Sequence, residues 1–156
     1  MPLKVLMVCL GNICRSPMAH GLLQHKVTKL KLDWEIDSAG TSNYHEGQLA
    51  DSRAIACMKR HGIDITYQRS RPVVAKDLAY YDHILVMDKS NLNNVLKLAK
   101  SADEHLKVSL IMDLVKGEYA DEVPDPYYGS GDSGFELVYK MLDDATDILI
   151  AQQPLN

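Results

Sequence analysis

Short apolar runs alternate along this chain with longer segments in which apolar residues recur every three or four positions. Residues 5–8 are apolar throughout, as in a strand that is covered on both faces of a sheet. Three further short runs predict strands, and the longer segments predict helices. The predicted strands cover residues 5–8, 34–37, 83–87 and 108–112, and the predicted helices cover residues 16–31, 49–61, 88–99 and 135–152. This alternation predicts an α/β fold with a parallel sheet.

The chain is long enough for one hydrophobic core and too short for two. Its 156 residues are 46% hydrophobic and 24% charged, which is close to the average of globular domains. We therefore predict a single α/β domain over residues 1–156, with a four-stranded parallel sheet and about five helices on both faces, in a Rossmann/flavodoxin-like arrangement.

Charge and cysteine content exclude several kinds of binding partner and several classes of protein. The net charge of -4 at pH 7 gives no long-range attraction to nucleic acid or to an acidic membrane surface. The chain also has no run of about 18 apolar residues that could span a membrane. Three cysteines are too few for a disulfide framework, so we expect free thiols and a cytoplasmic location. The glycine-rich signatures of dinucleotide and nucleoside triphosphate sites do not occur in the sequence, and we expect no cofactor.

The segment between the first strand and the first helix carries the strongest chemical signal. It reads Cys9-Leu10-Gly11-Asn12-Ile13-Cys14-Arg15-Ser16. Ligands of open α/β sheets bind at the carboxyl ends of the strands, where a helix N-terminus offers unpaired N–H groups. Arg15 adds a planar cation that suits two oxygens of a phosphate-like group. Because these donors would stabilise a thiolate on Cys9, the segment predicts an anion-binding loop with a nucleophilic cysteine.

A second unusual segment runs over residues 116–133. Its acidic residues, prolines and glycines predict irregular structure, and long loops in compact domains are commonly functional. Within it, Asp125 precedes Pro126, as is typical of a turn. A carboxylic acid at this place could also protonate a leaving group. The residues by themselves leave both roles open for Asp125.

These motifs together resemble the low-molecular-weight protein tyrosine phosphatases over essentially the whole chain. The matching segments are, in chain order, Cys9-Leu10-Gly11-Asn12-Ile13-Cys14-Arg15-Ser16-Pro17, Asp37-Ser38-Ala39-Gly40-Thr41, Cys57-Met58-Lys59-Arg60-His61-Gly62, Val86-Met87-Asp88 and Asp125-Pro126-Tyr127-Tyr128. The last segment falls in the acidic loop before the final helix, where this family keeps its general acid.

The resemblance implies a phosphatase that hydrolyses phosphotyrosine and aryl phosphates. Cys9 would attack the phosphorus atom and form a cysteinyl-phosphate. Arg15 and the backbone N–H groups of the loop would hold the phosphoryl oxygens. Asp125 would protonate the leaving oxygen and then activate water. The expected partner is a phosphotyrosine-containing protein or peptide, bound by a monomer.

The resemblance also assigns supporting roles. Ser38 and His61 should hydrogen-bond Asn12 and hold it in the left-handed conformation, which asparagine tolerates better than most residues. Cys14 should be a reversible disulfide partner of Cys9. The substrate-binding residues that the resemblance implies are Leu10, Gly11, Asn12, Ile13, Cys14 and Ser16 of the loop, with Tyr44, Tyr127 and Tyr128 as aromatic walls of a slot that is deep enough for a phenyl ring.

Three other functions stay open. An arsenate reductase of the same fold would use Cys9 and Arg15, but it needs resolving cysteines in a later segment, and residues 58–156 contain none. A protein arginine phosphatase of this fold typically has threonine in place of Ile13 and lacks the paired aromatic residues. A phosphate-binding module without turnover leaves the combination of nucleophile, arginine and acid unexplained. We expect no metal site among Cys9, Cys14, Cys57 and His61, because no Cys-x2-Cys pair is present and an anion-binding loop is a poor site for a cation.

Overall fold

The computed structural model describes residues 2–129 and 132–153, and in them it confirms the predicted α/β fold with a parallel sheet. The strands are β1 (Leu3–Cys9), β2 (Trp34–Gly40), β3 (His83–Val86) and β4 (Val108–Leu110). The α-helices are α1 (Arg15–Lys29), α2 (Ser52–Arg60), α3 (Ala75–Tyr80), α4 (Lys89–Leu96), α5 (Ala102–Leu106) and α6 (Ser133–Gln152), and there are 3-10 turns at Ile111–Val115 and Pro126–Tyr128. Within the described ranges, the helices are all too short or too polar to cross a membrane.

The order of the strands determines where a ligand can bind. The sheet is parallel throughout, in the order β2-β1-β3-β4. Strand β1 lies between β2 and β3, with Cys9 opposite Gly40 and Val8 opposite Val86. The chain therefore leaves β1 at the point where the strand order reverses, and the carboxyl ends of β1 and β3 flank a crevice there. Open α/β sheets bind their ligands at this position.

The central strand is buried on both faces. Val5 and Met7 belong to the core formed with α1, α2 and α6, whereas Leu6 and Val8 belong to the core formed with α3 and α4. All four side chains have no exposed surface, and burying an apolar side chain of this size contributes about 1.5–3 kcal/mol. The loop that follows β1 is consequently attached to a strand whose central residues are fully buried on both faces.

Helix ends differ slightly from the predicted ones for identifiable reasons. Helix α2 begins at Ser52 instead of residue 49, because the Asp51 carboxylate accepts a hydrogen bond from the Arg53 N–H and caps the helix there. Asp88 caps α4 in the same way, through the N–H of Asn91. The six-residue α3 and the five-residue α5 are too short to show a helical repeat in the sequence.

Candidate active site

The loop between β1 and α1 surrounds the sulfur of Cys9. Cys9 is the last residue of β1 and is 2% exposed. Its Sγ atom accepts a hydrogen bond from the Asn12 N–H at 3.3 Å and lies 3.0 Å from the Ser16 hydroxyl oxygen. Both groups can donate to a negatively charged sulfur. The sulfur is thus held by donors at the base of the loop.

Asn12 determines the shape of this loop. Its φ angle is 55°, which is in the left-handed region. The side-chain Nδ2 donates to the hydroxyl oxygens of Ser16, at 2.8 Å, and of Ser38, at 3.0 Å. The side-chain Oδ1 accepts from the Arg71 N–H at 3.0 Å. Because all three bonds are formed at once, the network fixes the loop in one conformation.

The last residue of strand β2 must have no side chain, because the loop between β1 and α1 lies directly against it. A Cβ atom on Gly40 would lie 2.8 Å from the Leu10 carbonyl oxygen and 3.2 Å from the Cβ of Asn12. Side-chain atoms do not approach a backbone oxygen this closely, so a larger residue would push the loop outward. The glycine of the Asp37-Ser38-Ala39-Gly40-Thr41 segment therefore has a direct steric role.

The structure corrects the expectation for His61. Its Nε2 atom lies 2.7 Å from Oε2 of Glu136, and its ring stacks on Tyr139 with centroids 3.6 Å apart. The reason is that α2 packs on α6, which places His61 beside Glu136 and Tyr139. Hydrogen bonds from His61 and Arg60 lower the pKa of Glu136 despite its partial burial.

His20 of α1 supports the loop instead. Its Nδ1 atom lies 3.3 Å from the Ser38 hydroxyl, which in turn bonds Asn12. Burial lowers the pKa of His20 to about 4, although Asp37 and Gln68 oppose the shift. His20 is therefore neutral near pH 7, and its Nδ1 atom can accept a hydrogen bond from the Ser38 hydroxyl.

His20 should make the fold sensitive to acid. Its pKa is lower in the folded state than in the unfolded state, so the unfolded chain binds the extra proton and stability falls as the pH drops from about 6.5 towards 4. We expect His20→Gln to remove up to roughly 3 kcal/mol of this loss. Urea unfolding of both proteins at about pH 7 and about pH 4.5 measures it. Equal losses in the two proteins would contradict the role of His20.

Arg15 links three segments at the carboxyl edge of the sheet. Its side chain is 3% exposed, and its Nη1 donates to Oδ2 of Asp88 at 2.7 Å and to the Val123 carbonyl at 3.0 Å. Its Nη2 lies 3.5 Å from Oδ2 of Asp125. Burial opposes the charge, but Cys9, Asp88 and Asp125 outweigh it, so the pKa of Arg15 is raised and the side chain stays cationic.

The acidic loop is irregular but firmly attached. The Val123 N–H donates to the Met87 carbonyl at 2.8 Å, and Glu122 accepts from the Lys89 N–H at 2.7 Å. Asp125 caps the 3-10 turn Pro126–Tyr128 by accepting from the Tyr127 N–H at 3.0 Å. Asp125 thus has both roles, since its Oδ1 caps the turn while its Oδ2 faces the guanidinium of Arg15.

Cys9, Arg15 and Asp125 line one cavity of about 420 Å³. The whole lining consists of Cys9, Leu10, Gly11, Ile13, Cys14, Arg15, Ser42, Tyr44, His45, Asp125, Tyr127 and Tyr128. Asn12 and Ser16 lie behind the loop as buried supports and do not form the surface of the cavity. The three tyrosines stand at the rim, where Tyr44 is 84% exposed and Tyr128 77%.

Arg53 holds one aromatic wall in place. Its guanidinium lies 5.5 Å from the ring centroid of Tyr127 and donates to the Tyr127 carbonyl at 3.2 Å. Asp51 binds the same guanidinium through both carboxylate oxygens, at 3.0 Å each. The wall that Tyr127 forms is therefore braced from α2.

The three cysteines are buried and free of disulfides. Burial, and to a smaller extent the charge of Asp51, raises the pKa of the Cys14 thiol well above its usual range, so this side chain is a neutral thiol. The pairing of Cys14 with Cys9 under oxidation stays a prediction. Cys57 lies on the buried face of α2 and belongs to the core, as its sequence position predicts.

Fold and site together define an α/β protein of the flavodoxin-like arrangement in which the loop after β1 surrounds a buried cysteine. Residues 4–155 match the family model of the low molecular weight phosphotyrosine protein phosphatases. The human low molecular weight phosphotyrosine protein phosphatase is 41% identical over 144 residues, which are 88% of this chain and 87% of the human one. The chain belongs to this family, whose members are enzymes.

Solved structures agree with this assignment. A protein tyrosine phosphatase from Entamoeba histolytica, crystallised with Hepes in its active site, superposes with a TM-score of 0.90 at 40% identity, covering 96% of both chains. A Drosophila arginine phosphatase superposes with the same TM-score of 0.90 at 32% identity, again with 96% of both chains covered. Structures described as acting on different phosphoryl groups thus share this fold.

Proposed function

We propose that this protein is a protein-tyrosine phosphatase that works through a cysteinyl-phosphate on Cys9. One observation carries the proposal: the Cys9 sulfur, the Arg15 guanidinium and the Asp125 carboxylate meet in one cavity with aromatic walls. A phosphate monoester needs a nucleophile in line with its leaving oxygen, positive charge on its equatorial oxygens and a proton for the departing group. These three side chains can supply all of them.

The first step transfers the phosphoryl group to the enzyme. The Cys9 sulfur forms a bond to phosphorus while the bond to the tyrosyl oxygen breaks. Backbone N–H groups of the loop and the guanidinium of Arg15 neutralise the equatorial oxygens, which carry the charge of the transition state. Because Asp88 and the Val123 carbonyl fix Nη1 of Arg15, the guanidinium is oriented before the substrate arrives.

Asp125 acts twice in this scheme. Protonated, it gives its proton to the tyrosyl oxygen as that bond breaks. Ionised, it then takes a proton from the water that attacks the phosphocysteine and releases inorganic phosphate and the free thiolate. Because the first step needs the protonated carboxyl group, we expect the activity to decline towards high pH.

The aromatic rim favours phosphotyrosine as the substrate class. Tyr127 and Tyr128 are in edge contact, with ring centroids 5.1 Å apart, and Tyr44 stands on the opposite loop beside His45. A phenyl ring can pack between such walls. A protein arginine phosphatase is the second candidate, because the Drosophila arginine phosphatase has the same fold. Ile13 and the paired tyrosines Tyr127 and Tyr128 favour a protein-tyrosine phosphatase over a protein arginine phosphatase.

Comparing two phosphopeptides tests the proposal. Peptides of one sequence that carry phosphotyrosine or phosphoarginine are incubated with the protein, and phosphate release is measured across pH, with nitrophenyl phosphate as a general substrate. We expect kcat/KM to be at least about tenfold higher for phosphotyrosine. Preference for phosphoarginine would establish the second candidate, and no release from any substrate would leave a binding module.

Asp125→Asn in the same assay tests the proton donor. We expect kcat on phosphotyrosine to fall about 10²–10⁴-fold. The loss should be smaller on nitrophenyl phosphate, because nitrophenolate leaves without needing a proton. The decline of wild-type activity towards high pH should flatten in the variant. Asp121→Asn is the matched control in the same loop, and equal effects of the two variants would refute the assignment.

A further inference from the structure

Three side chains with metal-binding atoms meet where α2 packs on α6, outside the cavity described above. Cys57 and His61 are separated by one turn of helix, and Glu136 lies in the first turn of α6. The ligand atoms of all three lie within 4.8 Å of one another. In the described part of the chain, this cluster combines a thiol, an imidazole and a carboxylate on two packed helices.

One distance in the cluster already fits a small tetrahedral cation, and a second is shorter than such an ion requires. The Cys57 Sγ atom lies 3.5 Å from Oε1 of Glu136, and the His61 Nε2 atom lies 2.7 Å from Oε2 of the same carboxylate. Ligand atoms around tetrahedral zinc are about 3.3–3.7 Å apart. A small rotation of the carboxylate away from the imidazole would therefore open the space that the ion needs.

We propose that Cys57, His61 and Glu136 form a zinc site, with Sγ, Nε2 and one carboxylate oxygen as ligands and water in the fourth position. Thiolate, imidazole and carboxylate together are typical of Zn²⁺, whereas Mg²⁺ and Ca²⁺ prefer oxygen ligands. Cys57 gives its S–H proton to solvent on binding, and His61 binds as the neutral ring with its proton on Nδ1. The two negative ligands then balance the charge of the ion.

Neighbouring groups complete the site. Arg60 donates to Oε1 of Glu136 at 3.0 Å, and it can keep this bond while Oε2 binds the ion. Outer hydrogen bonds of this kind orient carboxylate ligands. The ring of Tyr139 lies parallel to His61, with an interplanar angle of 9°, and limits its rotation. Side chains of His61 and Glu136 are 33% and 39% exposed, which gives the ion access from solvent.

Bound zinc would cross-link α2 to α6 at some distance from the phosphate-binding loop. Helix α2 carries Arg53, which braces Tyr127, and α6 follows the acidic loop. None of the three ligands lines the described cavity. Bound zinc therefore stabilises the helix pair, and its three ligands take no direct part in the proposed reaction.

Cobalt binding tests the proposal, because Co²⁺ bound to a thiolate gives a sulfur-to-metal charge-transfer band and tetrahedral Co²⁺ absorbs visible light. The titration uses the full chain carrying Cys9→Ser, so that the Cys9 thiol cannot bind the ion, and Cys57→Ser separates the proposed site from Cys14. We expect one Co²⁺ per chain with both bands, their loss on adding Zn²⁺, and a higher melting temperature with Zn²⁺.

Single variants of the Cys9→Ser protein locate the site. Cys57→Ser should lose the charge-transfer band, and His61→Gln or Glu136→Gln should weaken binding at least about tenfold. His25→Gln changes an exposed histidine of α1 and should bind like the parent. Absence of the band at stoichiometric Co²⁺, its persistence in Cys57→Ser, or equal affinity of Glu136→Gln and the parent would overturn the proposal. Because Glu136 is partly exposed, its variant keeps the test valid if Cys57→Ser misfolds.

Discussion

Cys9→Ser should lower kcat on nitrophenyl phosphate and phosphotyrosine peptides by at least about 10⁴-fold, because a neutral hydroxyl replaces the nucleophilic sulfur. The hydroxyl fits the same space, and the loop is held by Asn12, Ser16 and Ser38 through bonds that do not need the sulfur. Binding of inorganic phosphate should therefore persist within about tenfold.

Two measurements separate this expectation from a loss of structure. Inorganic phosphate should still raise the melting temperature of Cys9→Ser, because a ligand that binds only the folded state stabilises it. His25→Gln is the control, since it replaces an exposed residue of α1 outside the cavity, and it should keep the wild-type kcat. Turnover by Cys9→Ser at a rate near wild type would refute the cysteinyl-phosphate mechanism.

The strands and long helices could be predicted because their signals are local. Residues 5–8 are apolar on both faces and form the centre of β1, and the stripe of α6 is long enough to show its period. The end of β2 could not be predicted in this way. Ser38, Ala39 and Gly40 extend the strand because they pair with Met7, Val8 and Cys9, and such pairing depends on residues far away in the sequence.

The site residues likewise fall into those that a local signal predicts and those that depend on distant segments. Cys9 and Arg15 are brought together by one short loop, so their spacing carries the information. The Arg15 partners Asp88 and Val123 come from two other segments, and only the order of the strands places them there. The error for His61 has the same origin. His20 lies within α1 and His61 directly follows α2, and the packing of α2 against α6 determines that His20, not His61, reaches Ser38.

Arg15→Lys should show that the reaction rate depends on the planar guanidinium group of Arg15 and not on its charge alone. Lysine keeps one positive charge but cannot bind two phosphoryl oxygens side by side while also holding Asp88. We expect kcat to fall about 10³-fold or more, the lower range for arginines that stabilise phosphoryl transfer. KM should change much less, because the backbone N–H groups still bind the ground state.

Arginine at another position provides the control for this substitution. Arg69 is exposed and donates to nearby carbonyls outside the cavity, so Arg69→Lys should leave kcat and KM near wild type.

Arg15→Lys also leaves the carboxylate of Asp88 and the Val123 carbonyl with fewer donors in a buried place, which costs about 1–3 kcal/mol of folding stability. Activity is therefore measured where urea unfolding shows the variant to be fully folded. Under those conditions, a kcat within about threefold of wild type would mean that charge alone suffices, and Arg15 would then be an anion-binding residue that contributes equally to substrate and transition state.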